Sequence, residues 1–185
     1  MSRKNAVRKW RTADMARIAL FAVVLTVCAW LSIPLTVPIT MQSFGVFLTL
    51  LLLGGRSGTL AIVVYLLLGA VGMPVFSGFR GGIGMLLGAT GGYLTGFLAE
   101  ALVFWTMERL AGKTPGKRLC AILVGHLLCY CFGTAWYLAL YAQSSLWSVL
   151  CICVLPYLLP DLVKLVLAWK LSGRLNRADS RYLQP

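Results

Sequence analysis

The chain has 185 residues, 59% of them hydrophobic and 12% charged, with a formal net charge of +12. That apolar fraction exceeds the roughly 45–50% of soluble domains, so the composition is that of an integral membrane protein of single-domain length. The cations do not signal nucleic acid: no basic stripe with interleaved aromatics is present, and Lys and Arg cluster at the ends of apolar segments, as membrane topology requires.

A spanning helix needs about 20 apolar residues. After a basic tail over 1–14, the first apolar segment runs over 15–33. It lacks a small-residue cleavage site and is expected to stay as an uncleaved first span. A Pro/Thr-rich link carrying Thr36, Thr40 and Gln42 leads to a short second segment over 44–53. The third covers 58–71, and a glycine-rich stretch with Phe76, Phe79 and Arg80 follows it. The fourth covers 91–109 and the fifth 119–141. The last apolar stretch, 146–171, is broken by Pro156 and Pro160. Proline suits a first helical turn, so the spacing predicts a final helix from Pro160. Asp161 would then sit in its first turn, where the helix dipole favours a negative charge. The segment 146–155 would be a short or re-entrant helix. The membrane domain is read as 15–173, with a basic tail over 174–185.

Six spans put both termini on one side. With that side cytoplasmic, every Lys and Arg except Arg80 and Lys164 falls on it or flanks it, as the positive-inside rule demands. Both exceptions sit near features that need explaining. Asp161 and Lys164 lie three residues apart in an apolar run, on one helix face. Either they form a self-satisfied ion pair inside a bundle, or they mark a ligand site, because intramembrane charges are costly and cluster where function needs them. The link and the glycine stretch both fall on the outer side. They are either flexible loops or backbone shaped around a ligand.

The six cysteines lie in apolar segments and read as small buried hydrophobes, not a disulfide framework. His126, Cys129 and Cys131 do not share one helix face, so no metal site is expected. No nucleophile–base pair and no P-loop is visible, and an enzyme is not expected. Glu100 is a second intramembrane carboxylate, in want of a polar neighbour in the bundle. An aspartate and a lysine in a helix, with an arginine in a lid, suit a ligand with an amide-like head and a carboxylate.

The run Met73-Pro-Val-Phe-Ser-Gly-Phe-Arg-Gly-Gly-Ile-Gly-Met-Leu-Leu-Gly-Ala-Thr-Gly-Gly-Tyr-Leu-Thr-Gly-Phe97 resembles the signature of the BioY family, the biotin-specific substrate-binding component of energy-coupling-factor (ECF) transporters. Pro38-Ile-Thr-Met-Gln-Ser-Phe-Gly45 and Leu155-Pro-Tyr-Leu-Leu-Pro-Asp-Leu-Val-Lys164 resemble the same family's first outer loop and last helix. The resemblance implies an all-α bundle of six transmembrane helices in a bacterial cytoplasmic membrane. It implies biotin as ligand with no further cofactor, and a transmembrane coupling protein and two ATPase subunits as partners, in a lipid setting. The substrate-binding residues it implies are Asp161, Lys164, Tyr93, Arg80, Gln42, Phe76, Phe79, Gly91, Gly92 and Trp136. Three features depart from the family pattern: Ala89 stands where proline is expected, Leu158-Leu-Pro160 where Ile-Pro-Gly is expected, and Ala13, Ala16, Ala19 and Ala22 recur every third residue instead of every fourth. The alternatives are a sibling component for thiamine or riboflavin, or a membrane assembly factor that binds no small molecule.

Overall fold

The computed structural model describes residues 11–34, 38–140 and 145–182. Thr36 and the tail cations Arg3, Lys4, Arg8 and Lys9 lie outside the described residues. Helix α1 (Thr12–Trp30) opens with the Asp14 carboxylate accepting the Arg11 amide at 3.3 Å, which satisfies one of the donors a helix start leaves free. It buries Ile18, Ala22, Leu25 and Ala29 at three- and four-residue intervals and turns Leu20, Val23 and Val27 outward. A helix that is apolar on its bare face as well as its packed one is built for lipid, not water. The small residues divide on the same basis: Ala22 is in the core, whereas Ala13, Ala16 and Ala19 are exposed.

The described ends of the link after α1 pair with each other. Strands β1 (Ser32–Ile33) and β2 (Ile39–Thr40) pair antiparallel, and the Met41 amide donates to Leu31 O at 2.9 Å.

Helix α2 (Gln42–Ala70) contains both the second and third predicted segments, joined at Gly54, whose φ of 74° leaves the helical region. That conformation strains any residue with a Cβ, so glycine is required there. The two arms, 42–53 and 55–70, fold back on each other. Gln42 Nε2 donates to the Tyr65 hydroxyl at 2.7 Å, although 23 residues of straight helix would separate them by about 34 Å. The turn is held by a buried carboxylate: Glu108 Oε2 accepts the Gly55 amide at 2.8 Å, and its Oε1 lies 3.2 Å from Arg118 Nε. Arg118 in turn donates to Leu50 O at 3.1 Å.

Short α3 (Ile83–Leu87) precedes α4 (Gly91–Ala111), which packs on α5 (Pro115–Leu140). Glycines set that separation. A Cβ on Gly125 would lie 2.9 Å from Glu100 O, and one on Gly133 would overlap the Tyr93 ring. α6 (Leu146–Cys153) is a single short helix, as expected, and α7 (Leu155–Tyr182) closes the bundle against α2.

One expectation fails here. The last helix begins at Leu155, not at Pro160. Pro156 takes the first-turn position where a missing amide is harmless, and Pro160 is carried inside the helix. Asp161 therefore lies in the second turn, and the first-turn dipole argument does not apply to it. The helix also continues to Tyr182, into the stretch read as a tail from 174.

Among the described residues, four stretches are long and apolar enough to cross a membrane: Thr12–Trp30, Gln42–Ala70, Pro115–Leu140 and Leu146–Arg177, the last joining α6 to α7. α4 carries Glu100, Glu108 and Arg109 and falls outside that set, yet both glutamates are buried against its neighbours. Six long helical segments result, counting the arms of α2 separately. Their shared core runs from Ala22 and Leu25 through Phe47 and Ile62 to Phe104 and Ile122.

Candidate functional site

A cavity of about 400 Å³ opens at one end of the bundle, beneath the β-hairpin and the glycine-rich loop. Its size is that of a small-molecule site. Its walls are largely apolar, from Phe76, Met85, Tyr93, Leu94, Phe97 and Tyr157, and its floor is polar.

The loop over it is pinned, not free. The Phe76 amide donates to Arg80 O at 2.9 Å, and the Gly82 amide donates to Gly69 O at 2.7 Å. The Phe76 ring lies flat over Gly69, where a Cβ would overlap it, and meets Tyr65 edge-on at 5.5 Å. Ser77, Gly78 and Arg80 line the cavity from this loop. Among the described residues Arg80 has no acidic partner.

The floor is built around Asp161 and Lys164, one helical turn apart on α7 and 7% and 6% exposed. Lys164 Nζ lies 2.7 Å from Asp161 Oδ1 and also donates to Thr40 O at 2.7 Å and Ser43 Oγ at 3.1 Å. Ser43 donates to Asp161 Oδ1 at 2.7 Å, and the Tyr130 hydroxyl donates to Oδ2 at 2.5 Å. His126 Nε2 stands 3.2 Å from the same Oδ2, and its Nδ1 lies 3.0 Å from Glu100 Oε2. Elements distant in sequence thus meet at one carboxylate: the start of α2, α5 and α7 directly, β2 through Lys164 and α4 through His126. Three ammonium hydrogens and about four carboxylate lone-pair sites are available, and the protein occupies all of them.

The residues singled out in the sequence divide by position. Asp161, Lys164, Tyr93, Arg80, Gln42 and Phe76 line the cavity. Tyr93 reaches Cys153 O at 3.3 Å through its hydroxyl, and the Gln42 amide is committed to Tyr65. Phe79 does not line it: its side chain is 64% exposed and stacks on Trp30, ring centroids 4.8 Å apart. Gly91, Gly92 and Trp136 lie behind the wall. A Cβ on Gly91 would overlap Leu86 O, and one on Gly92 would overlap Trp136. Trp136 donates from Nε1 to Gly88 O at 3.1 Å, tying the turn between α3 and α4 to α5. Ala89, where proline is expected, faces the cavity.

Sequence reasoning missed Ser43, Tyr130 and His126, and left Glu100 without its partner. A signal was present for two of them, since His126 and Tyr130 are four residues apart on α5 and share a face. A lone histidine in an apolar span, like a lone glutamate, asks for a counterpart. Nothing in the sequence says that each is the other's.

Comparison with known proteins agrees with this architecture. A family model described as the BioY family matches residues 1–181. The biotin transporter BioY of Thermotoga maritima is 36% identical over 167 residues, covering 90% of this chain and 97% of its own. The probable biotin transporter BioY of Pyrococcus horikoshii is 37% identical over 168 residues, covering 90% and 98%. A crystal structure of the S-component for biotin from an ECF-type ABC transporter superposes with a TM-score of 0.79 at 24% identity, over 89% of this chain and 91% of that one. With its fold matched and nearly its whole length aligned, the chain belongs to the BioY family.

Proposed function

We propose that this protein captures biotin at the outer face of the cytoplasmic membrane as the substrate-binding component of an ECF transporter. The observation that carries the reading is the buried Asp161–Lys164 pair at the floor of a capped, largely apolar cavity. Biotin has matching parts: a ureido group with N–H donors and a carbonyl, an apolar ring and chain, and a terminal carboxylate. In this reading the ureido head meets Asp161 and Lys164, the rings of Tyr93, Phe76 and Phe97 flank the apolar middle, and Arg80 at the loop faces the carboxylate, where a guanidinium can pair in bidentate fashion.

Both termini are cytoplasmic in this arrangement and the loop over 72–82 faces outward, which puts the exposed Ala13, Ala16 and Ala19 of α1 at the inner side. Small residues admit a close helix approach in lipid, and a transmembrane coupling protein is the proposed occupant, linked to two ATPase subunits. The chain itself is a binding protein in this scheme, not an enzyme. Titration of the purified protein with labelled biotin tests the reading. One biotin per chain, undisturbed by excess thiamine or riboflavin, is expected. Displacement by either vitamin, or no binding of biotin, refutes it.

A further inference from the structure

The contacts around His126 contain a proton count. A carboxylate only accepts hydrogen bonds, and a neutral imidazole has a single N–H. Yet His126 has a carboxylate oxygen at hydrogen-bonding distance from each of its nitrogens, Glu100 at 3.0 Å and Asp161 at 3.2 Å. With both carboxylates ionised and the ring neutral, one of these contacts would set lone pair against lone pair. The trio therefore holds two protons. Asp161 is the poorest place for either, because Lys164, Ser43 and Tyr130 already donate to its oxygens. Nε2–H must then donate to Asp161 Oδ2, and the second proton lies between Glu100 and Nδ1.

Charge leads to the same place. Wherever that second proton sits, Glu100, His126 and Asp161 together carry one negative charge, and Lys164 cancels it. Removing the proton would leave a net charge inside the bundle, where it is costly. The remaining neighbours cannot supply that compensation: Tyr130 and the edge-on Phe47 ring at 4.8 Å flank the imidazole, and Ser43 and Thr40 face Lys164. Glu100 is fully buried, and its Oε1 has no hydrogen-bond partner among the described residues. A shared proton removes the full charge that this oxygen would otherwise help to carry.

We infer that Glu100 and His126 are positioning residues of the binding site: the pair retains a proton that fixes Nε2–H on Asp161 and keeps the Glu100–His126–Asp161–Lys164 cluster neutral. Neither needs to touch the ligand. They act by holding Oδ2, so that Oδ1, with Ser43 and Lys164 on it, is presented to the cavity. This rests on reading Asp161 as the ligand's acceptor, but the proton assignment can be tested without ligand.

His126 is the single histidine of the chain, so protein labelled with 15N-histidine gives one imidazole in the NMR spectrum. In ligand-free protein at neutral pH, Nε2 should be protonated, as the Nε2–H tautomer or as imidazolium. A bare Nε2 with the proton on Nδ1 overturns the inference. Among variants, Glu100→Leu removes the partner of Nδ1. Asp161 still demands the Nε2–H tautomer there, so Nε2 should stay protonated, but the ring loses its second anchor and biotin should weaken on the order of tenfold, the usual scale for one lost buried hydrogen bond. Glu100→Gln, whose amide can donate to Nδ1, should restore most of the affinity. Equal losses in the two variants refute the positioning role. If Glu100→Leu does not fold, the wild-type spectrum still decides. A protonated Nε2 in a protein that binds biotin independently of Asp161 would sink the site reading and leave the proton assignment standing.

Discussion

Replacing Lys164 by methionine strands Asp161 at a site where its side chain is 9% exposed. The carboxylate keeps Ser43, Tyr130 and His126 but loses its counter-ion, and the cluster gains a net negative charge. Breaking one partner of a buried pair costs about 3–5 kcal/mol. At ~2–4 °C per kcal/mol for a chain of this size, the melting temperature should fall by about 6–20 °C. Asp161→Asn strands Lys164 in the same way. The double variant, Asp161→Asn with Lys164→Met, behaves differently. Asparagine can turn its oxygen to His126 and Tyr130 and its amide to Ser43. The remaining loss is the Lys164 bond to Thr40 O, about 1 kcal/mol. The two changes should therefore couple by at least ~2 kcal/mol in a double-mutant cycle, read from thermal melts in detergent. Biotin titration of the same three proteins separates stability from function. The double variant should stay folded and lose biotin, because the acceptor and donor of the head-group site are gone. A folded double variant with near-normal affinity would mean that the pair is scaffolding alone, and a double variant as unstable as either single one would refute the charge argument.

Further outcomes follow from other parts of the molecule. A single cysteine at Ser77, in a background without the native cysteines, should react with a membrane-impermeant maleimide from outside intact cells; reaction only after permeabilisation reverses the proposed orientation. Arg80→Ala should weaken biotin well beyond its effect on a neutral biotin amide, and equal losses for the two ligands would remove the carboxylate role. Gly133→Ala drives a methyl group into the Tyr93 ring, so it should cost about 1–3 kcal/mol as overpacking and lower affinity through the displaced cavity wall; an unchanged melting temperature would show that α4 and α5 can separate there at no cost. Glu108→Gln should lower stability by ~2 kcal/mol or more, since Arg118 keeps its burial and loses its countercharge, whereas melting at the wild-type temperature would show that the turn at Gly54 holds without it.

Much of this protein is decided locally, and that part is legible in the sequence. Apolar stretches of spanning length flanked by cations define helices in lipid, because no other element satisfies its own backbone there. The sequence also marks Asp161 and Lys164 as partners, since a three-residue spacing places them on one helix face whatever surrounds them. Gly54 is different in kind. The break between segments 44–53 and 58–71 was visible, but not its tight fold-back or the Glu108 carboxylate that holds it, because that contact joins residues 53 positions apart. The start of the last helix was misplaced because two prolines competed for one first turn, and the unwound Val154 that ends α6 decides in favour of Pro156. The site itself is the clearest case. Ser43, Glu100, His126 and Tyr130 look unrelated along the chain, and only the packing of α4 on α5 and of α2 on both α4 and α7 gathers them around Asp161, Glu100 through His126. A buried carboxylate must be supplied with donors from somewhere. The sequence states that need, and the tertiary structure decides which residues meet it.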